Sequence, residues 1–177
     1  FGNVLELSLP ISYTAWVYIP ATTTAYGIIA NDSNYTSYRG AWFLVNTGGA
    51  LFCSYGDGLG LGAENRQSKL GDTSLSTNTW YHVACCIRGS YDMTIWLNAV
   101  DDNGTYSGNG GAIAYSSSTG IIGNASGYDL PMNGRLADVR VYNKDLTQGM
   151  IRMIRAGRLI GGEQAWWPLY KNSSPEP

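Results

Sequence analysis

Charge is what this chain most lacks. Asp, Glu, Lys and Arg make up 14% of its 177 residues and leave a formal net charge of -2, against about 25% charged residues in an average globular domain. The eleven Lys and Arg are scattered, and because a phosphate backbone is neutralised by clustered cations, a nucleic-acid partner is excluded. Their densest stretch, Arg152, Arg155 and Arg158, has helical spacing and reads as a solvated helix face. Long apolar runs are missing as well. Each one is broken by Gly, Pro or charge well short of the roughly 18 residues of a membrane span, so membrane insertion through a helix is not expected.

Histidine occurs once and cysteine three times. Neither a two-residue cysteine spacing nor a second His is present to build a thiolate-histidine metal site. Three cysteines cannot all pair within one chain. Cys85 and Cys86 are neighbours in a strand pattern and so point to opposite faces, which leaves one of them able to meet Cys53 from inside the fold. Buried, reduced thiols are the expectation. Phe1 is followed by no signal-peptide pattern, which is compatible with a processed product or an excised piece.

What the chain has instead is Ser, Thr, Asn and Gly, together with thirteen Tyr and six Trp. Such a mixture gives wet, hydrogen-bonding surfaces with rigid aromatic contact area, as in binding loops. A weakly charged subunit packed into a large assembly would show the same balance. Asn-x-Ser/Thr triplets begin at Asn31, Asn34, Asn103, Asn124 and Asn172, and carry meaning only in a cell that glycosylates.

From Val4 onward, short alternating runs rich in Val, Ile, Tyr, Trp and Thr are bounded by Gly, Asn, Asp and Pro. That pattern predicts an antiparallel all-β sandwich or barrel, and the length suffices for one sandwich. Strands are expected at Leu5 to Ser8, Ser12 to Ile19, Tyr26 to Ala30, Ala41 to Asn46, Ala50 to Tyr55, Trp80 to Arg88, Met93 to Asn98, Gly120 to Gly123 and Gly134 to Tyr142. Long Gly-, Ser- and Asn-rich connections lie between Gly56 and Asn78, where Leu59 to Ala63 could add a short strand, and between Asp101 and Ser118. One short helix is expected over Leu146 to Ala156. Asp145 and Gln148 are placed as a capping box, Met150, Ile151, Met153 and Ile154 as a packing stripe, and Gly157 as the stop. The segment Gln164-Ala165-Trp166-Trp167-Pro168-Leu169-Tyr170 then reads as a strand before a polar tail. The expected organisation is a sandwich over 1–162 and, over 163–177, a terminal strand and tail that either closes this fold or leads to a further module.

Three phrases follow in fixed order: Trp80-Tyr81-His82-Val83-Ala84, Ile95-Trp96-Leu97-Asn98, and Asn133 through Asn143 with Leu146 beyond. Together they resemble the laminin-G-like branch of the concanavalin A-like jelly-roll sandwiches, over roughly Ser12 to Ile154. Trp80 and Val83 match family core positions, and Asn98 matches the tight turn after the second phrase. Ala99 departs from the usual Gly, and Ala137 stands where an acid is common. The resemblance implies an antiparallel two-sheet jelly roll with one short helix near its C-terminal end. It also implies that a calcium ion, where family members hold one, sits in rim loops. Asp32, Asp57, Asp101, Asp102 and Asp129 are the acids placed for such loops, and Asp101-Asp102-Asn103 is the densest group. Surface turns use the same residues without any ion.

Glycosidases on this sandwich set two carboxylates across the scissile bond. The four Glu residues, Glu6, Glu64, Glu163 and Glu176, have no acid at the matching spacing, and His82 reads as a satisfied sheet residue. The expected function is therefore non-catalytic. One reading is a structural or adhesive module on an extracellular or virion surface, with other protein subunits as partners and Trp166 and Trp167 as assembly anchors. The other is a carbohydrate-binding, lectin-like module in which glycans meet Asn31, Asp32, Asn34, Tyr35, Tyr38 and Arg39 together with Tyr128 and Asp129, with calcium as a candidate cofactor.

Overall fold

In the computed structural model, which describes residues 5–32, 36–125 and 130–169, the strand with the clearest alternation lies inside a sheet. This is Ile11–Tyr18 (β1). Tyr13, Ala15 and Val17 enter the main core, while Thr14 and Trp16 face the other way, as the period of two requires. The chain continues through Tyr26–Ala30 (β2), Ala41–Val45 (β3), Ala50–Gly56 (β4), Arg66–Ser74 (β5), Trp80–Gly89 (β6), Asp92–Leu97 (β7), Val100–Asp101 (β8), Thr105–Gly108 (β9), Ile121–Ile122 (β10) and Arg135–Tyr142 (β11). Gln148–Arg155 (α1) and Glu163–Trp167 (β12) follow.

Two antiparallel sheets result among the described residues, as expected for the jelly roll. The first has the order β12-β11-β1-β6-β7-β8 and the second β10-β2-β3-β4-β5-β9. Their inner faces share one core that includes Tyr13, Val17, Phe43, Leu51, Val83, Ile95 and Val139. Cys53 and Cys85 meet within it, while Cys86 points out beneath the helix, and all three thiols are free. Helix α1 packs Ile151 and Ile154 on Ala84, Cys86 and Tyr142 on the outer face of the first sheet, whereas Met153 of the expected stripe is exposed.

Several local expectations are corrected. Leu5 to Ser8 is irregular and not a strand, although Leu5 and Leu7 are buried in the core. Leu59 to Ala63 forms no strand either; Leu59 is 82% exposed, and a single 3-10 turn follows at Ala63–Asn65. The strands in the two long connections are instead β5 and β9. The helix cap is Thr147, whose hydroxyl accepts from Met150 N at 3.4 Å. Asp145 pairs with Arg88 Nη1 at 2.8 Å, and Gln148 Nε2 donates to the Ala99 carbonyl at 3.0 Å, so neither closes a capping box. In the β7–β8 turn, Asn98 and Ala99 both adopt left-handed backbone, at φ 52 and 65. That geometry suits a tight hairpin and explains why glycine is usual at the second position. Glu163–Trp167 lies as an edge strand along β11, with Trp166 opposite Arg140 and Trp167 opposite Val139.

Candidate functional site

The outer face of the second sheet carries a concavity. Because side chains alternate, Ala41, Phe43, Leu51 and Cys53 enter the core while their neighbours Trp42, Leu44, Phe52 and Ser54 point outward. Cross-strand register aligns these into rows. Leu44 lies opposite Phe52, Phe52 opposite Leu70, and Leu70 opposite Thr105. One step along, Trp42 faces Ser54, Ser54 faces Ser68, and Ser68 faces Ser107. Leu44, Phe52, Leu70 and Leu130 floor a groove of about 500 Å³, and Asn46, Thr47, Thr105, Ser107 and Arg66 form its polar margin. On the same sheet the chain at Asn124 and Ala125 is pressed so closely on β2 that a Cβ at Gly27 would fall 2.1 Å from the Asn124 carbonyl carbon.

A charged aromatic stack stiffens that floor. Arg66 Nη1 donates to the Tyr38 hydroxyl at 2.9 Å, and its Cζ lies 5.1 Å from the Tyr38 ring centre and 6.0 Å from that of Phe52. Tyr38 in turn stacks on Trp42 at 5.4 Å with 27° between the planes. Trp42 is only 1% exposed, so it supports the groove from below. Beneath it the hydroxyls of Ser54 and Ser68 share a hydrogen bond of 2.7 Å. Arg66 Nε is buried with no hydrogen-bond partner among the described residues.

The loop residues singled out from the sequence behave differently. Asn31 is buried and fully engaged: Nδ2 donates to the Leu5 carbonyl at 2.9 Å and to the Tyr115 hydroxyl at 3.1 Å, and Oδ1 accepts from Ala41 N at 2.7 Å. Burial pushes the Tyr115 hydroxyl up to about 12. Asp32 accepts from Ser116 N and Oγ, and Arg39 donates to Ser37 Oγ and to the carbonyls of Tyr115 and Gly58. Asn31, Asp32 and Arg39 thus brace one loop against another, and Tyr38 belongs to the stack under the groove. Asn34, Tyr35, Tyr128 and Asp129 lie outside the described residues.

The acidic turn is likewise internally committed. Asp101 Oδ1 accepts from Asn103 N at 2.9 Å, while the buried Asp102 sits over Gly71 and accepts from Thr73 N at 3.4 Å. Asp57 accepts from Leu59 N and Gly111 N. No group of three or more His, Cys, Asp or Glu converges among the described residues. Trp166 Nε1 donates to Asp138 Oδ1 at 2.6 Å, and Trp167 packs against the main core. His82, expected to be satisfied, is 0% exposed and neither ring nitrogen has a partner among the described residues. Burial, reinforced by the charges of Arg155 and Arg140, lowers its pKa from 6.5 to about 3, so the imidazole is neutral.

The sequence did not point to the groove, because β5 and β9 were hidden in polar runs. The one available signal was the period-two placing of Arg66, Ser68 and Leu70 on one face.

Comparison with known folds places these features. No curated protein matches the chain by sequence. A carbohydrate binding protein, described as putative, from Bacteroides ovatus has a TM-score of 0.70 at 18% identity, over 100% of this chain and 50% of that one, so this chain spans half its length. The heptameric SAP-like pentraxin of Limulus polyphemus has a TM-score of 0.53 at 18% identity, covering 85% of this chain and 73% of that one. Domain 4 of AbnA, a GH43 extracellular arabinanase of Geobacillus stearothermophilus in complex with arabinotriose, has a TM-score of 0.54 at 19% identity, covering 86% and 69%. At these identities the likeness is one of fold. The Laminin_G_3 family model matches residues 3–152, and with the two-sheet topology this shows that the chain belongs to the concanavalin A-like lectin/glucanases superfamily.

Proposed function

We propose that this chain is a non-catalytic carbohydrate-binding module that holds a short glycan in the groove on the second sheet. The observation that carries this reading is the row Leu44, Phe52 and Leu70, which ends at Thr105 and sets an apolar strip beside polar margins at Asn46, Thr47, Thr105, Ser107 and Arg66. A sugar ring presents a C–H face and an edge of hydroxyls, and strip and margin complement the two. The volume of about 500 Å³ lies within the usual range for small-molecule sites, roughly 300–1,000 Å³. No carboxylate lines the groove among the described residues, whereas glycoside hydrolysis uses a pair. The descriptions of the Bacteroides protein and of the arabinotriose-bound domain support the same ligand class. Laminin-G-like domains are often extracellular, which agrees with a module that meets glycans outside the cell.

A structural or adhesive role on a virion or other surface comes second: Trp167 packs on the core and the Trp166 N–H is bonded within the chain, which leaves the 41% exposed Trp166 ring as its support. The test is a glycan array that includes arabino-oligosaccharides, followed by calorimetry on Phe52→Ala and Thr105→Trp. Binding that weakens at least tenfold in both variants is expected. An array without hits, or hits unchanged in both variants, would remove the reading.

A further inference from the structure

The outer face of the first sheet has a concavity of its own, beside the helix. Trp16 of β1 stands half-buried next to the last turn of α1, and with Arg152, Arg155 and Ala156 it lines a pocket of about 320 Å³. The buried His82, its cross-strand partner on the same face, meets the indole at 5.4 Å with 75° between the rings, so Trp16 is held from the side. The ion pairs among the described residues join Arg88 to Asp92 and Asp145, and Arg140 to Asp138 and Glu163. Arg152 and Arg155 take part in none of them. Arg155 is held in place by Nη1 donating to the Asn98 carbonyl at 3.3 Å, and its charge is felt at His82. Cations in a last helical turn offset the negative end of the helix dipole, which accounts for their charge. It does not account for an indole held at their side across a pocket.

We propose that this pocket binds a carboxylate-bearing sugar, a uronic acid residue, with the ring against Trp16 and the carboxylate between the two guanidinium groups. A guanidinium fork matches a carboxylate in plane and spacing, which a neutral hydroxyl does not. The volume sits at the lower end of small-molecule sites, roughly 300 Å³, and suits one residue of an acidic chain. This site is on the opposite sheet from the groove and does not depend on the groove being a glycan site.

The probes are tri-galacturonic acid, its methyl ester and acetate, titrated calorimetrically into the intact chain. The acid is expected to bind saturably, to weaken as salt is raised, and to bind at least tenfold more tightly than the ester. In an Arg152→Gln/Arg155→Gln double variant with unchanged melting temperature the affinity should fall at least tenfold, and in Phe52→Ala it should hold. The absence of saturable binding would overturn the proposal, as would equal affinity in the double variant. Acetate competing at the same concentration as the trimer would show that charge alone is read, and loss in Phe52→Ala would assign the binding to the groove; either result also overturns it.

Discussion

Asp138 and Arg140, two residues apart on β11, form a closed bidentate pair: Nε donates to Oδ1 at 2.8 Å and Nη2 to Oδ2 at 2.9 Å. The pairing shift against β1 between Thr14 and Trp16, with Asp138 at φ 51, brings the two side chains together. The Trp166 indole donates to the same carboxylate and lies under the Arg140 guanidinium at 5.1 Å, so the pair also fastens β12 to the sheet. Arg140 is 1% exposed. Without Asp138 the buried guanidinium would keep only the Arg158 carbonyl at 2.9 Å and Glu163 at 3.9 Å, and breaking a buried pair costs about 3–5 kcal/mol. Asp138→Ala should lose stability of this order in urea unfolding, whereas Trp166→Phe should lose about 1 kcal/mol, as expected for one hydrogen bond. Equal, small losses would mean that the pair is hydrated.

His82 predicts an acid-side instability. Its folded pKa of about 3 lies below the ordinary 6.5, so above pH 6.5 both folded and unfolded chains hold it neutral and it costs nothing. As pH falls from 6.5 toward 3, the unfolded chain takes up a proton that the folded chain refuses, and stability drops by up to about 1.4 kcal/mol per pH unit. Between pH 7 and pH 5 this amounts to about 2 kcal/mol by the same linkage. Urea unfolding at the two pH values should show that loss in the wild type and not in His82→Gln. Parallel behaviour of the two proteins would show that the imidazole is charged in the fold.

Calcium is expected to leave the protein unmoved. The carboxylates of Asp101 and Asp102 already accept from separate backbone amides, at Asn103 and Thr73, and serve as turn formers. Thermal melts in millimolar calcium and in excess chelator should coincide. A melting temperature that rises by several degrees with calcium would point to a site that these contacts do not describe.

The three thiols should be silent until the fold opens. Cys53, Cys85 and Cys86 are all 0% exposed, and burial raises the pKa of Cys85 and of Cys86, while only the thiolate reacts. A chromogenic disulfide reagent should titrate no thiol in buffer and three in denaturant. Fast reaction of the native protein would contradict the burial.

The alternation of β1, β3, β4 and β6 was plain in the sequence because their inner parity is apolar throughout. The β5 strand was not, and the reason is physical. Gln67, Ser68 and Lys69 are buried through partners that no local pattern announces. Ser68 meets Ser54, Gln67 accepts from Ser90, and Lys69 Nζ donates to the Met93 carbonyl at 3.0 Å beside the Tyr106 ring. A strand stabilised by hydrogen bonds from distant residues reads as a loop. The groove was missed for the same reason, since Arg66 and Leu70 of its lining lie on β5 and Thr105 and Ser107 on β9. Asn31 and Asp32 drew attention for the opposite reason: a loop-bracing amide and carboxylate have the composition of a ligand site.

The position of β1 also determines when this protein can fold. Its two hydrogen-bonding edges are occupied by β6 and β11, the latter beginning at Arg135. A nascent chain therefore carries the Ile11–Tyr18 ribbon with both edges open until β6 is made, and with one open until the residues from Arg135 onward have been synthesised. Such distant pairing slows folding and leaves strand edges available to neighbours. During that interval the chain is prone to aggregate, and a truncation before β11 would make the exposure permanent.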